Sequence, residues 1–304
     1  MAKTANFGPH IDFHPVDDSF IKIRNDHGQS EAMQYGQRLY HYTSLRSFFG
    51  IIKNKELWFG NTVSMNDKME LREFTDSLRA AVSEDYPEKK GEIDHIWAQI
   101  DRKAAERFPY AMCFSSRPDD AAQWERYADM ASGVCIVMDT DKLTQLFHSH
   151  LGYLNKVSYD NDIRKHKHYE IITSYLSEGK WGEFRNVDAW TDNVVATAAN
   201  YKHLSFSSES EIRLIILSEL VGLDEAKGFF RTEFEFTDHQ IKKVLKVNLD
   251  KLCRFEGIPI ESVFDGVIVA PRSNQPIDVL SEFLRANGFR KLAENVQLSQ
   301  CPLR

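Results

Sequence analysis

Three separated patches of the chain carry groups suited to handling a sugar or a phosphate: Leu39 to Ser44, Cys113 to Ser116, and Glu209 to Arg213. Each joins an apolar, strand-like run to polar side chains. His41 lies between two tyrosines, and strand alternation sets it on the face opposite Tyr40 and Tyr42. An imidazole can donate to ribose hydroxyls or a carbonyl, and neighbouring aromatic rings can stack on a flat heterocycle. A buried, hydrogen-bonded histidine at a strand end is the plainer alternative.

Glu209 and Glu211 stand just before an apolar run. If their spacing is strand-like, both carboxylates point to one side and Ser210 and Ile212 to the other. One carboxylate can hydrogen-bond a ribose hydroxyl and stabilise positive charge as a glycosidic bond breaks, while the other orients the nucleophile. A solvated strand edge is the alternative, with Arg213 simply pairing with a carboxylate.

Ser115, Ser116 and Arg117 end an apolar strand and can hold ribose and diphosphate oxygens, or the serines can cap the helix that follows. No Gly-x-Ser-x-Gly elbow surrounds either serine, which gives hydrolase chemistry little support. Trp124 and Tyr127, three apart on one helix face, suit core packing or a ring platform. Asn66, Asp67 and Glu70 form a second polar cluster that helix capping also explains. His148, His150, His166 and His168 lack a carboxylate at metal-site spacing, so no metal is expected. A glycine-rich phosphate fingerprint is absent, which argues against ordinary dinucleotide-binding and P-loop folds.

The elements that must position these groups follow from the hydrophobic pattern. Residues 40–42 read as a strand, Thr43 or Ser44 as the cap of a helix with Leu45, Phe48, Phe49, Ile51 and Ile52 on its apolar face, and 57–59 as the next strand. Helices are predicted over 69–82 and 93–107, and a buried strand over 110–114. Pro118, Asp119 and Asp120 suit the first turn of the next helix, because proline needs no donor there and acids favour the positive helix end. Further strands are predicted at 134–138, 212–216, 229–236, 241–247, 264–269 and 295–298, with helices beginning at Asp139 and Thr140, spanning 181–200, and carried by 277–287 with Pro276 in the first turn. The result is an α+β chain: an N-terminal arm over 1–38 with a short strand at 20–23, then one domain over 39–304 with helical insertions around 66–108 and 139–205.

At 304 residues, with 42% hydrophobic and 27% charged side chains, the chain has ordinary globular composition. Its formal charge of -7 disfavours broad attraction to a nucleic-acid backbone. The basic stretches at Lys89-Lys90 and 164–168 have the acidic neighbours Glu88 and Asp162 and read as solvated helix faces. Cys113, Cys135, Cys253 and Cys301 are irregularly spaced, which suits reduced thiols rather than a disulfide scaffold. The start lacks a long apolar signal segment and no run has bilayer length, so a cytoplasmic protein without a membrane partner is expected.

Tyr40-His41-Tyr42-Thr43, Leu57-Trp58, Met65-Asn66-Asp67, Cys113-Phe114-Ser115, Trp124-Glu125-Arg126-Tyr127 with Gly133-Val134, Glu209 to Arg213, and Pro302-Leu303-Arg304 together resemble the bacterial family known as domain of unknown function 2971. The family name assigns no reaction. The order of a first-strand histidine, a Phe-Ser-Ser segment and a Glu-x-Glu strand start also resembles the NAD-dependent ADP-ribosyltransferases. That second resemblance implies a split, mostly antiparallel central sheet with inserted helices, and NAD as substrate. Cleavage of the bond between nicotinamide and ribose would be followed by transfer to a protein, a nucleic acid or water. It implies His41 on the NAD ribose, Ser115 supporting the nicotinamide-side strand, Glu211 holding the ribose as nicotinamide leaves, and Glu209 orienting the acceptor. Tyr42, Thr43, Ser116, Arg117, Trp124 and Tyr127 complete the expected nucleotide contacts. Two rivals remain: a noncatalytic nucleotide-binding or sensor module in bacterial defence against phage, and an NAD hydrolase or nucleic-acid-processing enzyme.

Overall fold

The computed structural model describes residues 35–62, 70–106, 109–148, 152–159, 162–179, 187–217, 228–237 and 240–303. The strand at 20–23, most of the arm, the Met65-Asn66-Asp67 turn, the start of the helix expected at 181–200 and the terminal Arg304 lie outside these residues. Strand β1 (Arg38–Thr43) passes into helix α1 (Leu45–Asn54) at Ser44, whose backbone is extended and whose hydroxyl accepts from the Ser47 amide. Phe48, Ile51 and Ile52 recur at helical spacing and bury one face of α1. Lys55, in the left-handed region, ends the helix and starts β2 (Glu56–Asn61).

The chain continues through α2 (Glu70–Asp85), α3 (Lys90–Glu106), β3 (Pro109–Ser115), α4 (Ala121–Tyr127), β4 (Val134–Asp139) and α5 (Thr140–His148). Next come β5 (Gly152–Lys156), α6 (Lys167–Ser177), α7 (Val187–Ala198), β6 (Glu211–Leu217), β7 (Phe230–Thr237) and β8 (Gln240–Asn248). Helix α8 (Leu249–Glu256), β9 (Phe264–Val269), α9 (Ile277–Ala286), α10 (Arg290–Glu294) and β10 (Val296–Leu298) complete it. Strand β5 falls within the stretch expected to be helical; Leu154 is its buried residue, so its apolar signal is thin.

One expectation about α4 is corrected. Pro118 and Asp119 do not enter the helix: Asp120 is the cap, its carboxylate accepting from the amides of Ala122 and Gln123 at 3.0 and 3.1 Å. Asp119 turns the chain at a φ of 51° and accepts from the Trp124 indole at 2.7 Å. The capping bonds satisfy amides that a helix start leaves bare, which outweighs proline's preference for the first turn.

The strands form one mixed, largely antiparallel sheet in the order β10-β9-β4-β1-β3-β2-β8-β7, with β6 added on β3 and β5 on β6. The molecule is thus an α+β single domain. Strand β3 is its junction. Along one edge β6 pairs with it from Pro109↔Leu217 to Ser115↔Glu211. Along the other, β1 touches it at Tyr40↔Ser115 and β2 at Tyr110 and Ala111, leaving the middle of that edge open.

The main core packs Leu39, Phe59, Leu214 and Val267 of the sheet against Phe48, Phe147, Leu252 and Leu284 of helices α1, α5, α8 and α9. A second cluster, with Phe74, Trp97, Ile172 and Trp190, joins α2, α3, α6 and α7. A third gathers Tyr42, Trp124, Ala131, Cys135 and Ile268 around β1, β4 and β9. Burying each such Leu or Phe contributes about 1.5–3 kcal/mol. Gly133 allows the third cluster to close, since a Cβ there would stand 2.2 Å from the Thr43 carbonyl oxygen. Among the described residues, no helix is long and apolar enough to cross a membrane.

Candidate functional site

A cavity of about 530 Å³ opens where β1 diverges from β3. Its walls come from β1 (Tyr40, His41, Tyr42), β3 (Cys113, Phe114), α4 (Gln123, Arg126, Tyr127), the segment before β6 (Lys202, Phe206, Glu209) and β6 itself (Glu211, Arg213). Residues separated by more than 160 positions therefore share one surface. Aromatic rings and a dense set of charges line it together.

His41 closes the gap in the sheet. On β3 the carbonyls of Ala111, Cys113 and Ser115 face the same edge, and that of Cys113 has no strand opposite it. The imidazole Nδ1 supplies the missing donor at 2.8 Å, and the ring packs edge-on against Phe114. Because a carbonyl can only accept, this bond places the proton of a neutral ring on Nδ1 and leaves Nε2 as an acceptor. Burial holds the His41 pKa below its ordinary value, with the Cys113 bond opposing. A ring expected as a donor is thus set to accept.

The two glutamates meet by a route that strand alternation does not supply. Glu209 ends a 3-10 turn (Leu204–Glu209), Ser210 sits in the left-handed region, and Glu211 begins β6. Both carboxylates nevertheless converge on Lys202, whose Nζ lies 2.6 Å from Glu209 and 3.2 Å from Glu211. Glu209 also accepts from Arg126 Nη1 at 2.7 Å and from the Tyr127 hydroxyl at 2.9 Å. Glu211 accepts from Arg213 Nε at 2.8 Å and Nη2 at 3.2 Å, while Arg213 Nη1 donates to the Ala199 carbonyl.

This pairing preserves charge inside the protein. Burial pushes the Glu211 carboxyl up, but the Arg213 charge and hydrogen bonds, followed by Lys202, outweigh it and hold the pKa at about 2. Glu211 is therefore ionised throughout the physiological range. Burial raises the Tyr127 phenol above its ordinary value, so it remains a neutral donor. Burial, and then the Glu211 charge, likewise keep the Cys113 thiol protonated, unlike a nucleophilic thiolate.

The structure brings His41, Tyr42, Tyr127, Glu209 and Glu211 onto the cavity wall and sets the other expected contacts away from it. Ser115 is buried, its hydroxyl donating to the Glu209 carbonyl at 2.8 Å and accepting from the Arg117 amide. Ser116 bonds the Ser210 carbonyl through its amide, and Arg117 Nε donates to the Ser210 hydroxyl at 2.9 Å. These three hold the turn that carries the glutamates. Trp124 is fully buried against Tyr42, with ring centroids 4.8 Å apart, and Thr43 packs at the end of β1. Tyr42 spans both environments, since its hydroxyl donates to the Arg117 carbonyl and accepts from the Asp120 amide.

Lys202, Arg126 and Phe206 are cavity residues that the sequence pattern did not single out as site residues. Lys202 lacks a flanking motif, although a lone lysine close before a Glu-x-Glu start is the signal that marks it. Among the described residues, no group of three or more His, Cys, Asp or Glu side chains is placed to hold a metal ion.

The fold and site together describe an α+β domain with an aromatic cavity and a buried charge network. Residues 123–214 match the model of a family described as protein of unknown function (DUF2971), so a DUF2971 domain is present there. The match covers under a third of the chain, and it includes Arg126, Lys202 and both glutamates but neither β1 nor β3. No curated protein and no solved structure matches the chain.

Proposed function

We propose that this protein cleaves NAD between nicotinamide and ribose and transfers ADP-ribose to a macromolecule. The observation that supports this is the meeting of His41 with the Glu209/Glu211 pair on one aromatic-walled cavity. In this mechanism, Nε2 of His41 and the Glu211 carboxylate accept from ribose hydroxyls. As the C1′–N bond breaks, its electron pair leaves with nicotinamide, whose ring nitrogen becomes neutral, and positive charge develops on the ribose. Glu211 stabilises that charge more in the transition state than in the ground state. Glu209 orients the acceptor, whose lone pair bonds C1′ as the acceptor loses its proton.

A noncatalytic nucleotide-binding module is the second reading, and one observation favours it. Both Glu211 oxygens already accept from Arg213 or Lys202, which offsets part of the carboxylate's charge. Incubating purified protein with labelled NAD and cell extract separates the two. Transfer releases nicotinamide and labels macromolecules, hydrolysis releases nicotinamide without label, and a binding module does neither. Glu211→Gln is expected to remain folded and lose at least ~10-fold in turnover. Unchanged NAD consumption by the folded variant removes Glu211 from the mechanism.

A further inference from the structure

We infer that Arg126 forms a phosphate subsite at the cavity wall, exchanging Glu209 for the phosphoryl oxygens of a nucleotide ligand. Resting on the nucleotide proposal above, this adds the group that recognises the ligand's charged part.

The cavity has three cationic side chains, Arg126, Lys202 and Arg213, against two carboxylates. With His41 neutral, its wall carries one positive charge in excess, within a chain whose formal charge is -7. That local reversal suits an anionic ligand. The three cations differ in how firmly they are held. Lys202 and Arg213 are buried, one between the two carboxylates and the other on Glu211 and the Ala199 carbonyl.

Arg126 has a side chain 46% exposed. Among the described residues it donates to Glu209 through Nη1, and its guanidinium lies 5.9 Å from the Phe206 ring centroid. A guanidinium presents five N–H donors in a planar fork, matched to two oxygens of one phosphate. Most of that fork is unused. Release of Arg126 does not strand Glu209, which keeps Lys202 at 2.6 Å and the Tyr127 hydroxyl at 2.9 Å. A buried carboxylate losing its last partner would be costly, so those two retained bonds make the exchange feasible. Phe206 offers the guanidinium a face on which to stay while its hydrogen-bond partner changes.

The test is calorimetric titration of the full-length wild type, Arg126→Gln and Arg126→Lys with ADP-ribose, with thermal melting as the folding control. Arg126→Gln is expected to bind ADP-ribose at least ~10-fold more weakly, as follows from losing a charge-assisted hydrogen bond. Its affinity should also depend less on salt than that of the wild type. Arg126→Lys, retaining the charge without the fork, should recover part of the loss. Wild-type affinity in folded Arg126→Gln overturns the subsite while leaving the nucleotide proposal intact. If Arg126→Gln does not fold, wild-type affinity in Arg126→Lys overturns it instead. A wild type that neither binds ADP-ribose nor consumes NAD overturns both proposals.

Discussion

Two interior regions of this molecule hold ionisable side chains and differ in how much charge they keep. At the cavity, the buried carboxylates of Glu209 and Glu211 are surrounded by Lys202, Arg126 and Arg213 at hydrogen-bonding distance. In the cluster of α2, α3, α6 and α7, His168 is buried beside aromatic rings, 5.1 Å from His166 and 5.9 Å from Trp190 by ring centroids. Burial, with the neighbouring His166 and Lys167 charges, holds the His168 pKa at about 3, so the ring is neutral. Charge survives burial only where partners offset its lost hydration. The helical region pairs one buried cation, Lys103, with Asp192 at 3.3 Å and leaves His168 neutral, whereas the cavity places several cations around two acids. A charge network of that kind, facing an open cavity, is where a ligand site is expected.

Removing partners should break this contrast most severely. Lys202→Met leaves two buried carboxylates short of their shared cation and is expected to cost about 3–5 kcal/mol, read from urea denaturation. Adding Glu209→Gln to that variant should recover part of the loss, because one bare charge disappears. No recovery would mean that Lys202 acts through packing instead. Trp190→Ala should cost about 3 kcal/mol by leaving a cavity in the helical cluster. Its affinity for ADP-ribose should equal that of the wild type, and a change there would couple the two regions.

Gly133→Ala should cost about 1–3 kcal/mol, since its Cβ meets the Thr43 carbonyl and the backbone must shift. Thermal melting measures it. The smallest expected effect is on the pH profile of stability. His168 has a folded pKa lowered from 6.5 to about 3, so its share of stability falls away as pH drops below 6.5 and the unfolded chain takes up the proton. Glu211 has a folded pKa lowered from 4.5 to about 2, so its contribution is full above 4.5 and is lost from there down to about 2. His168→Phe should therefore flatten the profile between pH 6.5 and 4.5, where Glu211→Gln should leave the slope unchanged. His41, also lowered by burial, keeps part of the slope in that window, and urea midpoints across it measure the share that His168 contributes.

Much of the fold was legible because apolar spacing is a local property. The strand around Tyr40, the helix through Phe48 and Ile52, and the strands through Phe114, Ile136 and Val267 all fall where the pattern places them. Strand β5 escaped because a partly exposed strand needs few apolar residues, and α4 began later than proline suggested because Asp120 could cap it. At the site, the glutamates and His41 were visible as residue types. The roles of Ser115, Ser116 and Arg117 were not, because each depends on a bond to Glu209 or Ser210, some 93 or 94 residues away.

By itself the sequence determined an α+β chain, its principal elements and three patches with sugar- or phosphate-handling groups. Residue type and short-range periodicity contain that much. Only the tertiary structure decided that Nε2 of His41 is an acceptor, since this follows from the Cys113 carbonyl, which has no strand partner at an opening in the sheet. It also decided that the two glutamates converge through a left-handed Ser210 and share Lys202. Tautomers and buried charges are set by whatever lies within a few ångströms, and a linear pattern does not specify those neighbours.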